Sequence, residues 1–328
     1  MRKLLLLAAT AALAMPASAM AQAIITNGTV GLGVDRGGQL NIPGGPLSAG
    51  GETTYYGLRD IATGYESTAP GCLCEGWGAA VQGSGVTVYA NNSSGSSYNE
   101  VSFASTASTA TTVVTSVGGE LTVTHAFSPS STPYLYQVEV TITNTSGADF
   151  AGSTLYRRTM DWDIEPTAFD EYSTIQGTTG ATNVLSASAD GFCNSNPLAA
   201  CDPSYAQGDF VDAGPNDHGA EFTFIFDPLL AGASQTLTIF YGAAPTEALA
   251  LAALGSVGAE IYSFGQSVND KLGGTPGYAT FIFGFKGVGG QALPDPTGGI
   301  PEPGTWALMI LGFGAAGSML RRRRVAFA

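Results

Sequence analysis

The 328-residue sequence predicts a mainly β protein, an antiparallel β-sandwich that is large or double, with one short helix. Three observations predict it. Many short runs alternate apolar and polar residues with period two, the pattern of half-buried strands. Gly- and Ser-rich breaks fall between them at intervals of roughly 8–15 residues, the spacing of a sandwich. Only one stretch carries helix punctuation.

Taken along the chain, "ELTVTHAF" places Leu121, Val123, His125 and Phe127 on one face. That register makes His125 a packed residue. "YQVEVTITN" sets Tyr136, Val138, Val140 and Ile142 against Gln137, Glu139, Thr141 and Thr143. "EFTFIF", "QTLTIFYG" and "YATFIFGFKG" behave alike, with "DPLLAGAS" read as a hairpin-like connection between the first two. Residues 92–112, rich in Ser, Thr and Ala, read as a long surface loop or a strand of small side chains. The helix is expected near 246–257, with Thr246 as N-cap of "EALALAALGSV" and Gly255 near its end.

The two ends have different chemistry. Arg2 and Lys3 precede an apolar run, Leu4–Leu13, and Ala17, Ala19, Ala21 and Ala23 offer small-residue cleavage sites. This is a secretory signal peptide, residues 1–23. The body follows as 24–286, then a Gly/Pro linker, 287–300, and a tail, 301–328. Without the signal and tail, six basic and 25 acidic side chains remain, a net charge near −19. Such a body is repelled by nucleic acid and by anionic membrane surfaces.

Gly304–Leu320 has no charge, and a helix of that length measures roughly 25 Å, short but workable for a bilayer. Trp306 favours one interface, and Arg321, Arg322, Arg323 and Arg324 favour the cytoplasmic side. Pro301-Glu302-Pro303, two residues, Trp306-Ala307, a transmembrane helix over 304–320 and the arginines together resemble the PEP-CTERM sorting signal. That resemblance implies an exported protein of a Gram-negative, exopolysaccharide-producing bacterium. It implies as partners the translocon, signal peptidase and an exosortase-type membrane enzyme. The chain would be anchored transiently in the inner membrane, body outside and arginines inside, and then reach the cell surface or medium.

Four cysteines in an exported chain predict disulfides. Cys193 and Cys201 close "CNSNPLAAC". Cys72 and Cys74 close a very tight ring, so cross-pairing between the two sets stays open. Glu75 and Trp77 follow in "GCLCEGW", where Trp77 either stacks on a sugar or packs against a disulfide.

The main candidate site is "YRRTMDWDIEP". As a strand it puts Asp161, Asp163 and Glu165 on one face, neighbours roughly 6–7 Å apart, with Met160, Trp162 and Ile164 on the other. Arg157 shares the acidic parity. Three readings follow: a solvated face neutralised by Arg157, a Ca²⁺ site of hard oxygen ligands, or a glycosidase carboxylate pair. His218, in "GPNDHGAEF", is expected in a loop. There is no G-x-S-x-G elbow, and "GLGVDRGG" misses the dinucleotide spacing. With no catalytic motif, the body is expected to be non-enzymatic, acting in matrix or extracellular polysaccharide interaction, with no cofactor apart from that Ca²⁺. A secreted glycan-active enzyme is the alternative, as is ice binding through the Thr122/Thr124 and Thr141/Thr143 rows.

Overall fold

A computed structural model describes residues 22–296. The strands are β1 (Gln22–Thr26), β2 (Val30–Asp35), β3 (Leu58–Asp60), β4 (Gly76–Val81), β5 (Thr87–Asn91) and β6 (Asn99–Ser105). Next come β7 (Ala110–Thr115), β8 (Leu121–Pro129), β9 (Leu135–Asn144), β10 (Thr154–Trp162), β11 (Glu171–Gln176) and β12 (Val184–Ser188). β13 (Phe210–Asn216), β14 (His218–Phe226), β15 (Ser234–Ala244), α1 (Glu247–Val257), β16 (Ile261–Ser267) and β17 (Thr280–Lys286) complete the body.

Antiparallel pairing gathers them into a nine-stranded sheet, β13-β11-β16-β17-β15-β9-β8-β7-β6, and a five-stranded sheet, β12-β14-β10-β4-β5. A small third sheet, β1-β2-β3, adds Ile25, Val30, Leu32 and Leu58 to the common core. The mainly β antiparallel sandwich is therefore as the alternation predicts. Between the large sheets, Phe222 and Phe224 meet Phe285 edge-on at 4.9 and 4.8 Å between ring centroids. Edge-to-face contacts of this kind add about 0.5–1.5 kcal/mol beyond the area they bury.

Strand β10 is central to the smaller sheet, and both its faces are covered. Tyr156, Met160 and Trp162 point into the core, while Arg157, Thr159 and Asp161 lie on the other side under loops. The Arg157 guanidinium holds one of these loops: it donates to Thr223 Oγ1 at 2.7 Å and to the carbonyls of Asn194 and Ala199, each at 2.9 Å. Arg157 also pairs with Glu221 at 3.3 Å. The expected solvated acidic face neutralised by Arg157 is thus corrected: that face is covered, and the arginine is engaged elsewhere.

Helix α1 forms as its caps predict. Thr246 Oγ1 accepts from the Leu249 amide, and the chain leaves through Gly258 in the left-handed region at φ +66°. Ala250 and Leu254 pack on Phe240 and Ile282, on the outward side of the nine-stranded sheet.

Other expectations change. Residues 92–112 supply β6 and the start of β7. "DPLLAGAS" is no hairpin, because it carries the chain from β14 in one sheet to β15 in the other. β1 starts at Gln22, so it includes the last residues assigned to the signal peptide. The first part of the expected linker is docked: the Gly287, Val288 and Gly290 amides donate to Glu260, and Leu293 N donates to Ala259 O. Among the described residues no helix is long and apolar enough to cross a membrane. The expected transmembrane helix 304–320 and the sorting residues from Pro301 to Arg324 lie outside them.

Candidate functional site

The end of β10 delivers two carboxylates into one place. Asp161 is opposite Gly219 of β14, and Asp163 follows immediately after the strand, its amide donating to Ser67 O at 2.8 Å. Each residue is only 1% exposed. Asp161 Oδ1 and both oxygens of Asp163 have no hydrogen-bond partner. Glu171, at the start of β11, adds a third buried carboxylate. Its Oε1 accepts from the His218 amide at 3.1 Å, while its Oε2 is unpartnered. Asp217 is exposed and brings a carboxylate to the rim: oxygens of Asp161, Asp163 and Asp217 all lie within 4.8 Å of one another.

Burial, reinforced by mutual repulsion, sets the electrostatics. It raises the Asp161 and Asp163 pKa values well above the carboxylate range. It pushes Glu171 up to about 9, with the Asp161 and Asp217 charges adding to the shift. Among the described residues, no lysine or arginine forms an ion pair with Asp161, Asp163 or Glu171.

Glu165 does not join them. Its carboxylate accepts from the Glu66 amide at 2.9 Å, the Glu52 amide at 3.1 Å and the Ser48 hydroxyl. It clamps a loop, which corrects the ligand set Asp161/Asp163/Glu165. The strand ends at Trp162, and beyond it the period-two geometry no longer applies.

Both cysteine pairs form locally, Cys72–Cys74 and Cys193–Cys201, and cross-pairing does not occur. The first bridge borders the site, with Cys72 Sγ 3.3 Å from Asp161 Oδ2, while Cys193 Sγ is 3.3 Å from an Arg157 guanidinium nitrogen. Trp77 is buried in the core and donates to Gly37 O, so it does not present a stacking face. His125 is packed as expected, 4.4 Å from Trp77 by ring centroids and 3.0 Å from the Tyr156 hydroxyl.

His218 starts β14 rather than sitting in a loop. Its Nε2 is 3.2 Å from Glu171 O, and burial lowers its pKa. The ring forms part of the floor of a cavity of about 350 Å³. Asp202, Ser204, Tyr205 and Asn216 line the same cavity. Its size falls within the range of small-molecule sites. Burial raises the Tyr205 pKa, and nearby aspartates including Asp190, Asp217 and Asp161 raise it further. Gly214 lines it too, at φ +134°, and a Cβ there would stand 2.4 Å from Glu171 O and 3.1 Å from His218 Nε2. Only glycine lets that loop pass so close.

The threonine rows are real but lie elsewhere. Thr122 pairs with Thr143 and Thr124 with Thr141, on the outward, half-buried side of the nine-stranded sheet.

One comparison settles the tail. Residues 299–324 match the PEP-CTERM protein-sorting motif. The chain carries an exosortase sorting signal. It thereby implies export, membrane-anchored transit and an exosortase-type processing partner. No curated protein matches the chain.

Among solved structures, the body is similar to one from Escherichia coli K12 named for aldose 1-epimerase. That likeness has 13% identity and a TM-score of 0.31, covering 84% of this chain and 94% of the other. A galactose mutarotase related enzyme from Lactobacillus acidophilus has 8% identity and a TM-score of 0.30, over 83% and 92% of the two chains. A galactose mutarotase-like protein from Lactobacillus casei has 9% and 0.29, over 80% and 87%. These names run against the expectation of a non-enzymatic body acting in matrix or extracellular polysaccharide interaction. At such identities and TM-scores the likeness transfers no residue roles, and those rest on the geometry alone.

Proposed function

We propose that the body is an exported sugar-active enzyme working by proton transfer in the cavity floored by His218. The observation that carries this reading is the adjacency of a polar cavity to a buried, unpaired carboxylate cluster, because clefts beside strongly perturbed acids are where proton chemistry is done. Asp202, Ser204 and Asn216 offer several hydrogen-bonding groups around one small volume, which suits a polyhydroxylated ligand. Tyr205 offers an aromatic face.

The roles follow from the electrostatics. Burial keeps the His218 imidazole neutral near pH 7; with Nε2–H donating to Glu171 O, Nδ1 carries the lone pair that accepts a proton from a sugar hydroxyl. Tyr205 keeps its proton and donates a hydrogen bond or the proton itself. Glu171, through the His218 amide and ring, positions the imidazole.

The test is polarimetry of freshly dissolved α-anomers of common aldoses, run beside reducing-end release from polysaccharides, with the exported body. Wild type should accelerate one of these, and His218→Asn should slow it by about 10²–10⁴-fold, the usual worth of a positioned acid–base group. No acceleration by wild type in either assay, or full activity in His218→Asn, overturns the reading.

A further inference from the structure

We infer that Asp161, Asp163 and Asp217 form a binding site for a divalent cation of the Ca²⁺ class beside the cavity. Three carboxylates gathered together are common and mean little alone. Here a second observation points to a ligand: Asp161 and Asp163 are almost completely buried, yet Asp161 Oδ1 and both Asp163 oxygens have no hydrogen-bond partner. A buried polar atom without a partner forfeits its hydration, a penalty of the size that excludes such atoms from most native interiors. Glu171 Oε2 adds a further buried, unpartnered oxygen to the same cluster.

A proton shared between Asp161 and Asp163 would satisfy one oxygen of each. It would leave the second Asp163 oxygen unsatisfied. A cation satisfies all three residues at once. The geometry permits it, since the ligand oxygens lie within 4.8 Å of one another. That is about twice a Ca²⁺–oxygen bond of roughly 2.4 Å, so one ion can reach every carboxylate.

The ligand chemistry selects the ion. The usable donors are all hard oxygens. Cys72 and Cys74 approach Asp161 but are joined as a disulfide and offer no thiolate. Asp161 comes from β10, while Asp163 and Asp217 lie outside regular strands, a mixed set that suits the flexible coordination of Ca²⁺ better than the strict octahedron of Mg²⁺. Exported proteins meet Ca²⁺ at millimolar level, and sites of that kind bind at about 10⁻⁴–10⁻³ M.

This goes beyond the sugar-active reading, and its test uses no sugar, so the two fail separately. The chelator-treated, disulfide-intact body is titrated with CaCl₂ by calorimetry, and its thermal midpoint is followed in parallel. One equivalent should bind and raise the midpoint. Asp217→Asn, at an exposed residue, should weaken binding by about tenfold or more. Asp163→Asn should abolish it; should that variant misfold, Asp217→Asn decides alone. The inference is overturned if CaCl₂ up to 10⁻² M, on the order of ten times the weakest expected affinity, gives neither heat nor a shift. It is equally overturned if binding survives unchanged in Asp217→Asn.

Discussion

Two groups of buried carboxylates lie on opposite sides of the same strand, and they are built in opposite ways. On the core side of β10, Glu75 is fully buried, yet its Oε1 meets Arg158 Nε at 2.5 Å and the Tyr241 hydroxyl at 3.0 Å. Its Oε2 accepts from the Leu40 amide at 2.5 Å. Arg158 also donates to Gly38 O at 3.1 Å. On the loop side, Asp161, Asp163 and Glu171 have no cationic partner and leave four oxygens orphaned. The first group is a closed network that fixes how the small β1-β2-β3 segment meets the sandwich. The second is an open one, waiting for a proton, a cation or a substrate. Burial by itself does not separate structure from function; satisfaction of the buried charge does.

The largest effect expected from this contrast is on the closed side. Glu75→Gln removes the charge that balances Arg158 and should destabilise the body by about 3–5 kcal/mol, measured by denaturant unfolding with disulfides intact. A loss under 1 kcal/mol would remove Glu75 from its structural role.

A smaller effect separates the groups by pH. The folded-state pKa of Glu171 is about 9, above its ordinary 4.5, so the folded protein holds a proton that the unfolded chain releases. Its stabilising contribution is complete below about pH 4.5 and is lost as pH rises through about 9. Asp161 and Asp163 shift in the same direction. The cation-free body should therefore show a thermal midpoint that falls from pH 5 to pH 9, and a flat profile would contradict the open cluster.

How far the sequence reveals this division depends on how local the signal is. Period-two alternation finds β8 and β9 because each buries about one side chain in two over several residues. The helix is legible from Thr246 because capping is a local hydrogen bond. Asp161 and Asp163 are legible as a pair from their spacing. Glu165 is not, because the chain leaves β10 after Trp162 and turns it toward Ser48, Glu52 and Glu66. Glu171 arrives at the start of β11, and Asp202 and Asp217 from two separate connections, and nothing in their neighbourhoods announces the meeting. His218 shows the same limit: "GPNDHG" reads as a turn, yet the histidine pairs with Trp162 across the sheet. The fold of "DPLLAGAS" is missed for a related reason, since two strands joined by a short connection need not share a sheet.

The most direct measurement is the paired stability and turnover of Asp163→Asn against wild type, in cation-free buffer at pH 7. An open cluster held for function predicts that the variant is more stable by about 0.5–2 kcal/mol, because asparagine is neutral without the proton that Asp163 must take up on folding. Its activity on sugar should fall by about tenfold or more, as the support behind the site is lost. A variant that is less stable and equally active would show that these carboxylates serve the fold, and the account would fail.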